Sequence, residues 1–156
     1  MADIVFVRID DRLLHGQVGR EWVKSEGADL IAVGNDKIAE DPKDQKLMNI
    51  ATPLFADSLF VKVDDLVERL KDNEDRKALI LIASPKEAYK LVENGLDVST
   101  INVGNMRKLD SKEEINPNVY IGSEDRLYFN KLADKGISFD IRTLPNDKPV
   151  DEDKLL

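Results

Sequence analysis

The chain has 156 residues, which suits one domain over residues 1–156 and is enough to bury a core without disulfides. It contains no cysteine and one histidine, which excludes disulfides, thiol nucleophiles, cysteine-ligated metal centres and histidine-rich metal sites. A formal net charge of −8 argues against nucleic acid or an anionic membrane as the main partner.

The first residues, Met-Ala-Asp-Ile-Val-Phe-Val-Arg, carry neither the basic region nor the long apolar run of a signal peptide. No stretch approaches the roughly 20 apolar residues that a membrane helix needs. We therefore expect a cytoplasmic protein with no direct membrane insertion.

Apolar runs of strand length alternate with helical patterns along the chain. The runs predict strands over residues 4–9, 30–33, 58–63, 78–83, 100–103 and 137–144, and the helical patterns predict helices over 18–26, 41–51, 64–71, 84–94 and 123–135. Asp41-Pro42 and Ser84-Pro85 each pair a capping side chain with a proline suited to the first helical turn. Such alternation predicts an α/β fold, with one doubly wound, mostly parallel sheet flanked by helices on both faces.

Two regions have weaker patterns. Residues 106–121 contain the turn Asn116-Pro117-Asn118 and could hold a hairpin or a short strand. The tail, residues 147–156, is charged and is expected to fray.

The turn after the first predicted strand holds the sole histidine, His15, and ligands of open α/β sheets bind at the carboxyl ends of strands. Gly16 allows close backbone approach, and the helix that follows offers unpaired N–H groups to an anion. Arg12 can clamp a phosphate through two hydrogen bonds, and Arg8 and Arg20 are near enough in sequence to add positive potential.

One imidazole nitrogen of His15 could hydrogen-bond to Asp10 or Asp11, which would leave the other free to attack phosphorus. From the residues alone, three interpretations stay open: a phosphohistidine, a generic anion or nucleotide pocket, and a salt-bridge network with no chemistry. The usual phosphate-binding glycine motifs of ATP and dinucleotide sites are absent. So is the Gly-x-Ser-x-Gly of serine hydrolases, and Ser84 before Pro85 suits a helix cap.

Two strings resemble signatures of one known family. Arg-Ile-Asp-Asp-Arg-Leu-Leu-His-Gly-Gln-Val, residues 8–18, followed by Trp22, resembles the active-site signature of the IIB components of the bacterial sugar phosphotransferase system, mannose/fructose/sorbose family. Asn-Val-Gly-Asn-Met, residues 102–106, resembles that family's Asn-Val-Gly-Gly-Met, with Asn105 in place of glycine. Residues Gly19-Arg20-Glu21 also depart from the family pattern, and both departures bear on the partner or substrate.

The resemblance implies a sheet of about seven strands and a relay of phosphoryl groups. A histidine of the IIA component would phosphorylate His15 on Nδ1, and His15 would pass the group to a sugar bound by the membrane components IIC and IID. The protein would then be a phosphotransferase, peripherally associated with the membrane through IIC and IID, with no cofactor and no metal. The alternative is a non-catalytic doubly wound module that senses a phosphorylated metabolite.

The resemblance and the chemistry of phosphoryl transfer together give an expected site. The catalytic set is His15, Arg12 and Asp10; the phosphate-binding set is Arg12, Leu14, Gly16 and Gln17; the supporting set is Arg8, Asp11, Met106 and Arg107. Two partners must reach the same histidine, so we also expect an exposed site with an apolar rim. The candidates for that rim are Leu13, Leu14, Met106 and Phe129.

Overall fold

The central sheet of the protein, in a computed structural model that describes residues 1–156, has six parallel strands in the order β3-β2-β4-β1-β5-β8. These are β1 (Asp3–Asp10), β2 (Leu30–Gly34), β3 (Asp57–Val61), β4 (Lys77–Ile82), β5 (Thr100–Asn105) and β8 (Ser138–Ile141). A separate antiparallel hairpin consists of β6 (Glu113–Asn116) and β7 (Val119–Ile121).

Six α-helices and two other helical turns connect the strands. The π-helical turn Val18–Trp22 continues into α1 (Val23–Glu26), followed by α2 (Asp36–Ala39), α3 (Pro42–Asn49), α4 (Val63–Lys71), α5 (Pro85–Glu93), α6 (Ser123–Asp134) and a 3₁₀ turn at Glu152–Leu155. The Asp41 and Ser84 side chains accept the backbone N–H groups of Asp44 and Glu87, as capping residues do. None of the helices has the length and apolar character that crossing a membrane requires.

Alternate residues of the strands supply two cores, one on each face of the sheet. In β4, Ala78, Ile80 and Ile82 join the larger cluster, which includes residues of α4, α5 and α6. Leu79 and Leu81 join a smaller cluster on the other face, around Trp22. Burial on both faces explains why the strands read as continuous apolar runs.

The predicted fold class is confirmed, with small differences in the elements. The sheet has six strands instead of about seven, although Met106, just after β5, forms one parallel bridge with Val119 of the hairpin. The last strand ends at Ile141 and not at residue 144, because the carbonyls of Arg142 and Thr143 turn to accept hydrogen bonds from Arg8. The short helix α2 was not predicted.

The expectation that residues 147–156 fray is wrong. Val150 forms an antiparallel bridge with Ile141, and the Glu152 carboxylate accepts the backbone N–H of Phe139 at 2.5 Å. Leu155 is completely buried in the larger core. Leu155 anchors this mostly charged segment, and a single buried leucine is too short a pattern to produce a periodic signal in the sequence.

Candidate functional site

The site lies where the sheet connections diverge. After β1 the chain passes towards β2 on one side, and after β5 it passes towards β8 on the other, although β1 and β5 are neighbours. Divergence of this kind opens a crevice at the carboxyl ends of the two strands. The segment after β1 that contains His15 and the segment after β5 that contains Met106 both begin at this crevice.

The imidazole of His15 is held by a buried carboxylate. His15 Nε2 lies 2.9 Å from Oδ2 of Asp10, whereas Nδ1 has no hydrogen-bond partner in the chain. The side chain of Asp10 is fully buried, and that of His15 is 21% exposed. A carboxylate in this position favours the tautomer that carries its proton on Nε2, which leaves the lone pair on Nδ1.

Asp10 also binds two arginines. Its Oδ1 accepts the backbone N–H and Nε of Arg12 at 2.9 and 3.2 Å, and its Oδ2 accepts Nη2 of Arg8 at 3.0 Å. Burial alone would raise the pKa of Asp10, but the hydrogen bonds from His15 and Arg12 and the charge of Arg8 outweigh it and hold that pKa at about 2. Asp10 is therefore a carboxylate at neutral pH.

Arg8 lies underneath the site and not beside the histidine, and its charge is paired with the buried carboxylate of Asp10. Its side chain is completely buried, and Nη1 donates to Oδ1 of Asn102 at 2.9 Å and to the carbonyl of Thr143 at 3.0 Å. Gly104 leaves room for the guanidinium, since a Cβ there would lie 2.0 Å from Cζ of Arg8. Burial lowers the pKa of Arg8, and the ion pair with Asp10 opposes that effect.

Trp22 packs against the same buried cluster. Its ring stacks on Phe6 at 4.5 Å between centroids, and the guanidinium carbons of Arg8 and Arg142 each lie 5.4 Å from the ring centre. The indole N–H donates to the carbonyl of Thr143 at 2.9 Å. Trp22 therefore packs beneath the site and holds Arg8 in position.

The backbone between Asp10 and the helix forms an open cradle. The N–H of Leu13 closes a turn onto the carbonyl of Asp10 at 2.9 Å, and Leu13 has a φ of 59°, an unusual conformation for a residue other than glycine. The next four backbone N–H groups, those of residues 14–17, have no partner in the chain. They begin the helical segment, where an anion is favoured.

Several predicted site residues have other positions than expected. Asp11 does not touch the imidazole; its Oδ1 accepts the side-chain amide of Asn105 at 2.8 Å, and its Oδ2 accepts the backbone N–H of Arg107 at 2.7 Å. The Arg107 side chain pairs with Asp11, which offsets its charge. Gln17 accepts a long hydrogen bond of 3.4 Å from Nη2 of Arg12, whose Nη1 has no partner.

The expected apolar rim is also wrong: Leu13, Leu14, Met106 and Phe129 are all buried, because each packs in one of the two cores. Exposed apolar residues near His15 come instead from α3 and the segment that follows it, and sequence reasoning missed them. Leu47, Ile50 and Phe55 line a groove of about 730 Å³ that extends to His15. The spacing of these apolar residues in the sequence follows neither a strand period nor a helix period, so it did not predict an exposed apolar surface.

No group of three or more His, Cys, Asp or Glu side chains in the chain could hold a metal ion. The unpaired donors beside His15 are backbone N–H groups and the exposed side of Arg12, which is 41% exposed. Donors of this kind suit an anion.

Comparison with known proteins points to one family. The family described as "PTS system sorbose subfamily IIB component" matches residues 4–156. The chain is 36% identical over 157 residues to the N-acetylgalactosamine-specific phosphotransferase enzyme IIB component 2 of Escherichia coli (strain K12), covering 100% of both. It is 33% identical to the fructose-specific EIIB component of Bacillus subtilis (strain 168), covering 97% of this chain and 94% of that protein.

Solved structures agree with the sequences. The crystal structure of the N-acetylgalactosamine-specific IIB component 1 from Escherichia coli is 31% identical with a TM-score of 0.90, covering 96% of this chain and 99% of that one. The IIB domain of the sorbose permease from Klebsiella pneumoniae is 28% identical with a TM-score of 0.89, covering 95% and 92%.

Proposed function

The chain belongs to the sorbose-subfamily IIB components, the phosphotransfer domains of sugar import systems, and on this premise we propose that His15 carries the phosphoryl group. It accepts the group from a phosphohistidine of a IIA component and donates it to a sugar bound by the membrane components IIC and IID. The protein works in the cytoplasm and meets the membrane only through those components.

The contact between His15 Nε2 and Asp10 Oδ2 at 2.9 Å is the observation that carries the proposal. It occupies the nitrogen that must keep its proton and leaves Nδ1 as the nucleophile. The unpaired N–H groups of residues 14–17 lie in the same turn, at a helix N-terminus. A phosphoryl group on Nδ1 would therefore find donors for its equatorial oxygens next to its point of attachment.

The transfer breaks one P–N bond and forms another. The lone pair on Nδ1 of His15 attacks phosphorus in line with the donor histidine, whose nitrogen recovers the electron pair of the broken bond. In the second step the P–N bond at His15 breaks and its electron pair returns to Nδ1, while the sugar hydroxyl oxygen binds phosphorus and releases its proton to solvent. The reaction needs positioning and charge stabilisation more than covalent machinery, and arginine and amide donors supply both without a metal.

The free Nη1 of Arg12 supports a role as the principal phosphate clamp. Arg12 is anchored through Nε and Nη2 on Asp10, so its guanidinium is already oriented before a phosphate arrives. Asp11 and Arg107 have a supporting role, because their contact fixes the loop after β5 against the loop that carries His15, and Met106 anchors the loop after β5 in the larger core.

The sugar is expected to be selected by the membrane components. Relatives named for N-acetylgalactosamine, fructose and sorbose are 36%, 33% and 28% identical to this chain, a narrow range for three different sugars. The carrier chemistry at the histidine is independent of the sugar.

Intact-mass analysis tests the proposal. With phosphoenolpyruvate, the general components of the phosphotransferase system and the matching IIA protein, the chain should gain one phosphoryl group. That group should be labile in acid and stable in alkali. His15→Ala should gain none. Arg12→Ala should keep the fold and accept the group about 100-fold more slowly, as expected for the loss of one charged transition-state donor. Arg69→Ala, an exposed arginine on α4, is the matched control and should behave as wild type.

An unchanged mass with active upstream components would refute the carrier role. Phosphate binding without covalent modification would support the sensing module instead. A normal rate for Arg12→Ala would show that backbone N–H groups alone stabilise the transferred group.

A further inference from the structure

An apolar groove extends from His15 along the first helical segment. Its volume is about 730 Å³, and the segment from α3 to Phe55 forms its far wall. Ile50 is 81% exposed, and Leu47 and Phe55 are each 59% exposed. Four of the eight large apolar side chains exposed on this chain lie within residues 47–55, the fourth being Leu54. A concentration of this kind marks an interaction site, whereas single exposed leucines are ordinary.

The shape of the groove depends on a close contact with glycine. A Cβ on Gly19 would lie 2.1 Å from the carbonyl oxygen of Ala51, so only glycine lets the helical segment approach the far wall so closely. Both residues line the groove. The groove is therefore built by packing within the chain and is present before any partner arrives.

The groove has a positive edge on an acidic protein. Arg20 and Lys24 line it four residues apart on one helical face, and no Asp or Glu lines it. Neither cation forms a salt bridge, although the chain has a net charge of −8. Nη1 of Arg20 would lie 2.9 Å from a Cβ on Gly16, so its guanidinium rests one residue from His15.

We propose that this groove docks the phosphorylated donor protein, through an apolar face of the donor bordered by negative charge. The proposal rests on the carrier function, and it adds which surface receives the donor and which residues bind it. Ile50 and Phe55 supply the apolar contact, while Arg20 and Lys24 attract the negative charge.

The charge on the groove favours the donor over the acceptor. The donor meets this chain when His15 is unloaded, so Arg20 and Lys24 are not neutralised and the donor brings the phosphoryl dianion. After transfer that dianion lies on His15, beside Arg20, and the attraction between the two proteins falls. The acceptor meets only the loaded form, in which the positive edge is already offset. Electrostatic steering would thus speed loading and then release the spent donor.

Ile50→Asp and Phe55→Ser test the apolar contact, and Lys24→Glu tests the positive edge. Loading from the phosphorylated IIA protein should show a KM raised about tenfold or more with kcat little changed, since hot-spot losses are of that size. Lys24→Glu should also flatten the dependence of KM on salt. Leu127→Asp is the matched control, because Leu127 is 52% exposed on α6, away from the groove, and its KM should be that of wild type.

Two further measurements separate docking from chemistry. Phosphoramidate, a small donor with no docking surface, should load all four variants as fast as wild type. Each variant, once loaded, should transfer to sugar in membrane vesicles containing IIC and IID at the wild-type rate. An unchanged KM for IIA would overturn the proposal, as would impaired transfer to vesicles with normal loading, which would assign the groove to the acceptor. Wild-type protein that neither donor loads would instead refute the carrier function itself.

Discussion

Two carboxyl groups shielded from water, the fully buried Asp10 and the half-buried Glu87, show how the surroundings set a pKa. Asp10 and Glu87 follow or lie near the carboxyl ends of strands, and burial acts on both. Asp10 faces Arg8, Arg12 and His15, whereas the carboxylate of Glu87 accepts the backbone N–H of Ala83 at 2.9 Å and forms no salt bridge. Burial therefore raises the pKa of Glu87, while three partners bring that of Asp10 to about 2.

Titration of side-chain carboxyl carbons by NMR should separate the two groups. The Asp10 carboxyl should have a midpoint near 2, and that of Glu87 should lie above its usual 4.5. Glu87 is the internal control, because it is also shielded from water and has no cation paired with it. A midpoint near 4 for Asp10 would mean that His15 and Arg12 do not bind it in solution.

The lowered pKa of Asp10 also predicts a stability change in acid. The native pKa of about 2 lies below the unfolded value of 3.8, so the unfolded state binds more protons in this range. The stabilisation is present above about pH 4 and is lost as the pH falls to about 2, and it amounts to about 2 kcal/mol. Urea unfolding of wild type and Asp10→Asn across this range should show a shallower loss for the variant, which is the less stable protein at pH 7 because Arg8 loses its counter-charge.

At the scale of elements, the two strings that resemble the family signatures are joined by the buried side chain of Arg8 and by the contact between Asp11 and Asn105. Arg8 on β1 reaches across to Asn102 on β5 and occupies the space that Gly104 leaves. The sequence placed His15, Arg12 and Asp10 together because they lie in one turn. It could not reveal Arg8 as the link, because strand pairing between residues about 94 positions apart leaves no local signal.

Gly104→Ala should disturb the site from below. The new Cβ would overlap the Arg8 guanidinium, which must then leave Asn102 and loosen its hold on Asp10. We expect a loss of about 2–4 kcal/mol in the free energy of unfolding, measured in urea, since a buried charge loses partners. Loading of His15 should slow at least about tenfold in kcat, and the near-UV circular dichroism of Trp22 should change, because Arg8 stacks on its ring.

Gly122→Ala is the matched glycine control. A Cβ on Gly122 would meet its nearest neighbour, Lys112, at an ordinary 3.6 Å. The substitution should lower the free energy of unfolding by less than about 1 kcal/mol and leave the loading of His15 unchanged. If Gly104→Ala loaded as fast as Gly122→Ala, Arg8 would be a structural residue with no influence on the histidine.

The helices differ in how well their positions could be predicted. Helix α4 buries Val63, Leu66, Val67 and Leu70 at helical spacing, and its pattern alone predicted it. Helix α3 buries no residue, so its capping Asp41-Pro42 predicted the start but nothing predicted its exposed apolar side. A helical pattern is recognisable in a sequence when one face of the helix is buried within the chain. An apolar side that faces away from the chain produces no such pattern.

At the scale of the whole molecule, alternation of strands and helices was enough to predict the fold class. Strand order was not predictable, because the apolar runs are similar and pairing depends on which faces the helices cover. The contacts that hold the tail were not predictable either. Its charged residues predicted fraying, yet Arg126 on α6 donates to the carbonyls of Lys154 and Leu156 at 3.1 and 2.8 Å.

Leu155→Ala should measure how much the tail contributes to the whole domain. Removing a completely buried leucine leaves a cavity and should cost about 2–4 kcal/mol, which lowers Tm by about 5–10 °C in a domain of this size. Leu156→Ala is the neighbouring control; Leu156 is 39% exposed, so its Tm should stay within about 2 °C of wild type. The tail packs beside α6 and β8, and β8 is an edge strand of the sheet, so the tail is distant from the groove. Loading of His15 at 25 °C should therefore be unchanged in both variants. Equal Tm values for the two variants would mean that the last turn is detached in solution and that the domain is complete without it.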